Sequence, residues 1–166
     1  PLYSSAASDV YKRQVWDLHI VGDGPERGAI EQLIASAGPQ AVSRIHLLGY
    51  KSGEDLQREV GNARFTVLSS EWRENMPYSG LESLAAQTPI IGARIGGIPE
   101  LVEEGKTGVT FESGDAVDLL NSMRKCSAVS ASSYSSMQRF CREYVNARCL
   151  QNKYALTLID LYERVI

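Results

Sequence analysis

Residues 74–82 read ENMPYSGLE, and the fold turns on how this stretch divides. Upstream, Arg64 to Leu68 (RFTVL) has the short apolar run of a strand. Downstream, Ser-Leu-Ala-Ala-Gln continues a helical pattern until Thr88-Pro89 stops it. The division that fits is a strand ending at Leu68, a loop carrying Glu74, and a helix opening near Pro77. Proline suits a first helical turn, where its missing N–H would have had no partner. The amides of Tyr78, Ser79 and Gly80 then point out of the helix start. Such an end attracts phosphate, through unpaired N–H groups and the positive end of the helix dipole. Glu82 falls about one turn into the helix, and Glu74 stands before it. An anion cradle flanked by two carboxylates suits a nucleotide-sugar, with amides for the diphosphate and carboxylates for the sugar hydroxyls. The competing reading is that a Glu in the first turns merely compensates the helix dipole, and that two Glu at this spacing arise by chance.

The surroundings weigh on that choice. A length of 166 residues suffices for one domain with a real core. Apolar residues make up 43% and charged residues 22%, a soluble globular balance. The net charge of −3 carries no nucleic-acid or membrane footprint, and no apolar run approaches a membrane span. The three cysteines, Cys126, Cys141 and Cys149, are odd in number and form no CxxC pair. They read as reduced thiols of a cytosolic chain, with neither a disulfide frame nor a zinc site. Residues 1–14, PLYSSAASDVYKRQ, are polar, Ser-rich and without period, and no signal-peptide core follows their charges. They are set apart as a leader outside the fold, and the domain is taken as 15–166.

From Val15 the pattern is regular. VWDLHIV (15–21) reads as a strand, and Gly22-Asp23-Gly24-Pro25-Glu26 leads into a helix that Gly38-Pro39 ends. Arg44 to Leu48 reads as a second strand, a short helix ends at Gly61, and Arg64 to Leu68 is the third strand. After the helix of the opening stretch, Pro89 to Gly92 is a fourth strand, Gly96-Gly97-Ile98-Pro99-Glu100 turns into a short helix, and Val109 to Phe111 is a fifth strand. Ser113-Gly114-Asp115 caps a helix bearing Leu119, Leu120 and Met123. Ser127 to Ser136, with six serines in ten residues, reads as a loop. Two helices, about Ser135 to Tyr144 and Leu150 to Val165, close the chain. Strands alternating with helices predict parallel βαβ units and a doubly wound, mainly parallel α/β sheet. Ligands of such sheets bind at the carboxyl ends of the strands, and every Gly-rich or charged loop named above follows a strand.

Other candidates are weaker. Gly22-Asp23-Gly24 nearly matches a dinucleotide fingerprint, but Arg27 stands where the third Gly belongs and Gly28 comes one late; a tight turn before a helix explains it better. His19 and His46 lie in predicted strands without metal-spaced partners and read as core or strand-face residues. No Ser-His-Asp or Cys-His arrangement is arguable. Tyr134, Met137, Phe140 and Tyr144 share helical spacing that fits core packing.

VGDGPE (21–26), HLLGY (46–50), SSEWRENMPYSGLESLAAQTPIIGARIGGIPELV (69–102) and GKTGV (105–109) together resemble the C-terminal, donor-binding domain of retaining family-4 glycosyltransferases, also called glycosyltransferases group 1. The resemblance runs from about Trp16 to the C-terminus. It implies the GT-B architecture, two Rossmann-like domains facing across a cleft, of which this chain is the C-terminal half. It also implies roles. Glu74 and Glu82 match the two glutamates of the E-x7-E motif, the first contacting the transferred sugar and the second the ribose hydroxyls. Tyr78 and Ser79 match positions whose backbone amides reach the diphosphate. Gly49, Tyr50 and Lys51 match the loop beside the base, Gly22 the neighbouring loop, and Gly96 and Gly97 a loop lining the cleft. The implied donor is a UDP-, GDP- or ADP-linked sugar and the acceptor a glycan or a lipid-linked group. No metal or cofactor is expected, and the setting is cytoplasmic or, for the full-length protein, peripheral to a membrane. Where the family commonly has Gly-Phe-Gly-Leu after the first glutamate, this chain has Asn75-Met76-Pro77-Tyr78, which bears on sugar preference. The alternatives are a nucleotide-sugar epimerase of the same architecture and a non-catalytic nucleotide-binding module.

The family's donor domain opens with a strand carrying Gly-Arg and then Lys-Gly, cations that neutralise the diphosphate. Nothing of that kind precedes Val15, and Lys12-Arg13 does not match. The expectation is most of one half of an enzyme, with its first strand and acceptor domain lacking. A leaving diphosphate would then meet amides alone, and losing one such donor costs about 10²–10³ in rate. Residues 15–166 should therefore bind nucleotide weakly and show no turnover with any donor–acceptor pair; measurable multiple turnover by the purified chain would overturn this expectation.

Overall fold

The alternation of short apolar runs with amphipathic segments produces the architecture it predicts. The computed structural model describes residues 16–149, 156, 159–161 and 163–164. In chain order these form β1 (Leu18–Val21), α1 (Arg27–Ser36), α2 (Pro39–Arg44), β2 (Ile45–Gly49), α3 (Gly53–Asn62), β3 (Thr66–Leu68), α4 (Tyr78–Ala85), β4 (Ile90–Ala93), α5 (Ile98–Leu101), β5 (Gly108–Phe111), α6 (Ala116–Ser127) and α7 (Ala131–Arg148). Every strand pairing is parallel. The strands form two sheets, β1–β2 and β3–β4–β5, with β4 central in the second. Residues 1–14, set apart above, and most of the closing helix expected at 150–165 lie outside the described residues; Leu156, Ile159–Leu161 and Glu163–Arg164 are helical. No helix among the described residues is long and apolar enough to cross a membrane.

β4 (IIGA) is buried along its whole length, as a central parallel strand should be. Its side chains alternate between two cores. On one face Ile90 packs with Leu84 of α4, Leu101 of α5, and Cys141 and Tyr144 of α7. On the other, Ile91 and Ala93 pack with Phe111 of β5 and Cys126 of α6. Helices thus cover both faces, and the stripe of Tyr134, Met137, Phe140 and Tyr144 faces inward, with Met137 and Tyr144 buried.

The β1–β2 pair is less covered. None of its residues and none of α1 is buried. His19 and His46, opposite each other in the register, lie edge to face with ring centroids 5.2 Å apart; His19 contacts Glu59 and His46 contacts Asp17. Two links join this pair to the larger sheet. Glu59 of α3 accepts from Lys51 and contacts His19, while Thr88 Oγ1 donates to the Val60 carbonyl of the same helix at 2.8 Å. At the amino ends of the strands, the Arg64 guanidinium lies between the rings of Trp16 and Tyr134, 4.8 and 4.5 Å from their centroids, and donates to the Val129 carbonyl.

Three expectations need correction. Gly38-Pro39 does not only end a helix: Pro39 opens α2 from the first-turn position it favours, so Arg44 is helical rather than the start of a strand. The serine run at 127–136 is mostly helix. α6 continues to Ser127, Ser130 caps α7 by accepting from the Ser133 amide at 3.1 Å, and Ser135 and Ser136 donate back to the carbonyls of Ala131 and Ser132. Packing of Met137, Cys141 and Tyr144 outweighs the low helix preference of serine, and α7 runs to Arg148 instead of Tyr144. Asp115, by contrast, caps α6 as expected, accepting from the amides of Val117 and Asp118.

Burial pushes the Cys126 and Cys141 thiols up to about 12, whereas Cys149 is exposed. Because the thiolate is the nucleophile, iodoacetamide at pH 8 should alkylate Cys149 alone in the folded protein and all three cysteines in urea. Mass spectrometry of the native digest checks this, and modification of Cys141 at the rate of Cys149 would contradict the packing described.

Candidate functional site

The carboxyl ends of β3, β4 and β5 each run into a loop, and these loops are tied together through main-chain atoms. After β3, Ser70 Oγ donates to Glu74 Oε1 at 2.8 Å, and the Glu74 amide donates to the Trp72 carbonyl at 3.0 Å. After β4, the Gly97 amide donates to the Glu74 carbonyl at 2.7 Å. After β5, Ser113 Oγ donates to the Ser70 carbonyl at 3.1 Å. The contact with Glu74 is backbone on backbone. A Cβ at Gly97 would run into the Asn75 carbonyl, and one at Gly96 into the main chain of Arg73 and Glu74; Gly96 also takes φ +54°. Gly96 and Gly97 are therefore required by close approach.

Arg94, at the end of β4, fixes the start of the Gly96–Gly97 loop. Its guanidinium reaches Glu112 at 3.3 Å, Thr110 Oγ1 at 3.1 Å and Asp118 at 3.0 Å. Asp118 also accepts from the Glu112 amide at 2.7 Å. That amide, and then Arg94, hold the Asp118 carboxyl below the usual carboxylate range.

The amino end of α4 carries no side-chain cap. Pro77 is the cap residue itself rather than the first helical residue, with φ −67° and ψ 125°. Its side chain has no acceptor for the first amides, and those of Tyr78 and Ser79 find no partner among the described residues. The Gly80 amide differs from expectation: it donates to the Pro77 carbonyl at 3.0 Å, and Gly80 is buried against Leu68 and Leu101. Two free amides remain, not three. Tyr78 and Glu82, four residues apart on the helix, share its exposed face, while Gly80, Ser83 and Leu84 are buried. The helix ends in a Schellman motif: the Gln87 amide donates to the Leu84 carbonyl and the Thr88 amide to that of Ser83. Gln87 takes the left-handed conformation (φ 61°) that glycine usually fills.

A second group of candidates sits at the carboxyl ends of β1 and β2. The Gly22 amide donates to the Gly49 carbonyl at 2.8 Å, joining the two loops. Beside them Ile20, Gly22, Pro25, Ile30 and Leu47 line a mainly apolar cleft of about 280 Å³. Tyr50 is 78% exposed. The Lys51 ammonium is held by Glu59 at 2.9 Å, and that bond, with the one from His19, holds the Glu59 carboxyl low. Glu74 and Glu82 are both exposed, and no ion pair engages either among the described residues. Sequence reasoning passed over Ser70, Arg94 and Asp118, which support the loops. The signal lay in Ser-Ser after a strand and in an Arg two residues before Gly-Gly.

A helix start at the carboxyl edge of a parallel sheet, with the acidic loop before it tied to the double glycine after the next strand, defines a Rossmann-like unit. Residues 2–128 match the sequence pattern of the family described as glycosyl transferases group 1, and the chain belongs to that family. The matched span begins inside the stretch 1–14 set apart above. The chain is 33% identical over 107 residues to the sulfoquinovosyl transferase SQD2 of Arabidopsis thaliana, covering 63% of this chain and 20% of that protein. It is 36% identical over 98 residues to the N-acetyl-alpha-D-glucosaminyl L-malate synthase of Bacillus anthracis, covering 59% and 24%. In structure it superposes on HepE of Anabaena in complex with UDP, with TM-score 0.79 at 20% identity, covering 96% of this chain and 44% of HepE. It superposes likewise on sucrose-phosphate synthase from Thermosynechococcus elongatus, with TM-score 0.78 at 24% identity, covering 99% and 42%. The fold is that of the GT-B glycosyltransferases. The chain spans less than half the length of each of these proteins.

The lowered Asp118 carboxyl has a consequence for stability. A group whose folded value is depressed contributes stability above its unfolded value, about 3.9, and that contribution is lost as pH falls through the folded value. Asp118→Asn should therefore melt below the parent at pH 7, with the difference closing as pH falls well below about 3.9. Thermal melts of both proteins across that range check this, and a constant difference would remove the role of the charge.

Proposed function

We propose that this chain is the donor-binding, C-terminal half of a retaining glycosyltransferase that transfers a sugar from a nucleoside diphosphate. The observation that carries the reading is the start of α4, where the free amides of Tyr78 and Ser79 stand between the tethered Glu74 and the exposed Glu82. In this reading the two amides and the helix dipole hold the diphosphate. Glu82, one turn further along, takes the ribose hydroxyls. Glu74 contacts the transferred sugar, and Gly96 and Gly97 line the cleft beside it. The base lies along Gly22 and Gly49–Tyr50 and is read through their backbone, since the Lys51 ammonium is engaged with Glu59.

The chemistry follows from charge. Sugar transfer with retention builds a cationic sugar and a departing diphosphate. Donors already oriented toward the growing negative charge stabilise it without reorganising, and the Tyr78 and Ser79 amides are held in that orientation by α4. The relatives bearing transferase names favour this reading over an epimerase or a non-catalytic module. The UDP named with HepE makes a uridine nucleotide the first donor to try, ahead of GDP- and ADP-linked sugars.

Calorimetric titration with UDP, GDP and ADP and their glucose esters tests the reading. The chain should bind one nucleoside diphosphate in preference to the others. Glu82→Gln, which keeps shape and removes charge, should weaken that nucleotide about tenfold, the scale of a hydrogen bond to a charged group. Unchanged affinity of a folded variant would remove Glu82 from the site.

A further inference from the structure

We propose that Ser70 is a positioning residue that aims the Glu74 carboxylate; the inference rests on the donor-binding reading above. Three contacts meet at its hydroxyl. The Trp72 amide donates to Ser70 Oγ at 3.3 Å, Glu74 Oε1 lies 2.8 Å away, and the Trp72 carbonyl lies 3.3 Å away. A serine hydroxyl has one proton and two lone pairs. The carboxylate is the closer and the charged acceptor, so the proton goes to Glu74 while the Trp72 amide fills a lone pair. The hydroxyl then has a fixed direction, from an amide donor behind it to the carboxylate in front.

The main chain on either side is also held. Ser113 Oγ grips the Ser70 carbonyl, and the amide and carbonyl of Glu74 are bound to Trp72 and Gly97. What stays free in Glu74 is its side chain, with three rotatable bonds. Its carboxylate has one partner among the described residues, and that partner is Ser70. Glu82, on the rigid face of α4, has none. Ser70 thus gives the loop carboxylate a fixed partner that the helix carboxylate lacks. Removing the hydroxyl leaves Glu74 in place and its carboxylate spread over several rotamers.

The test uses the full chain and reads the advantage of a sugar nucleotide over its free diphosphate. UDP-, GDP- and ADP-glucose and the three free diphosphates are titrated calorimetrically into the parent, Ser70→Ala, Ser70→Thr, Glu74→Ala and the double variant Ser70→Ala/Glu74→Ala. The expected result is a ratio of Kd values, diphosphate over glucose ester, that falls about fivefold or more in Ser70→Ala, to the level of Glu74→Ala, with diphosphate affinity unchanged. Ser70→Thr should keep the parent ratio, and the double variant should match Glu74→Ala, because a residue acting through Glu74 has nothing left to act on. A Ser70→Ala ratio equal to the parent's would overturn the proposal. So would equal weakening of diphosphate and ester, repeated in the Glu74→Ala background, which is the mark of a purely structural role. If Ser70→Ala does not fold, Ser70→Cys, a weaker donor, is read the same way. A parent chain that binds none of the six probes would bring down the donor reading itself, and this inference with it.

Discussion

The hydrogen bond from the Gly97 amide to the Glu74 carbonyl constrains the carboxyl edge of the larger sheet. It joins the loop after β3 to the loop after β4 with no side chain between them, which is possible because neither Gly96 nor Gly97 has a Cβ. Nine residues separate β3 from α4, enough for a wandering loop. Binding at Glu74, together with the grip of Ser113 on Ser70, cuts that length into short spans. Three residues then lead from Glu74 to the first residue of α4, so fixing Glu74 also fixes where the helix begins and where its free amides point. Arg94 reinforces the same bond from below, through Glu112, Thr110 and Asp118.

The helix is held at its far end with equal care. Ser83, fully buried, donates to the Thr88 carbonyl at 2.7 Å and lies 2.8 Å from Thr66 Oγ1, tying the last turn to β3 and to the entry of β4. A buried hydroxyl without partners would cost about 1–3 kcal/mol; here it is satisfied and fixes register. Gly80 lets the first turn settle against Leu68 and Leu101. Groups carried on helices and strands keep their geometry better than groups on loops, and α4 is such an element.

Much of this was legible in the sequence, and the limits have physical reasons. Strand–helix alternation is a local signal, so the parallel class followed from it; the cap at Asp115 and the first-turn proline at 39 are local too, although Pro39 was read only as a stop. The serine run misled because serine's local preference opposes helix, while the packing that decides it comes from Met137, Cys141 and Tyr144, later in the chain. ENMPYSGLE announced the helix start, but not that Pro77 would be its cap or that Gly80 would spend its amide internally. Ser70 and Arg94 act through partners 4 to 43 residues away. No periodicity or spacing rule links such partners; only the folded sheet does.

The uneven covering of the two sheets divides the work of ordering a ligand. The loops after β3 and β4 stand on strands that pack into both cores, whereas Gly22 and Gly49 end a pair with no buried residue. Amides of β4 should exchange with solvent only on global opening, and those of β1 through cheaper local fluctuations. A ligand spanning both would find one end pre-organised and the other still to be stiffened, so the entropy lost on binding would fall mainly on the β1–β2 side. Tighter variants are accordingly to be sought by improving the packing of α1 on the β1–β2 pair, none of whose residues is buried.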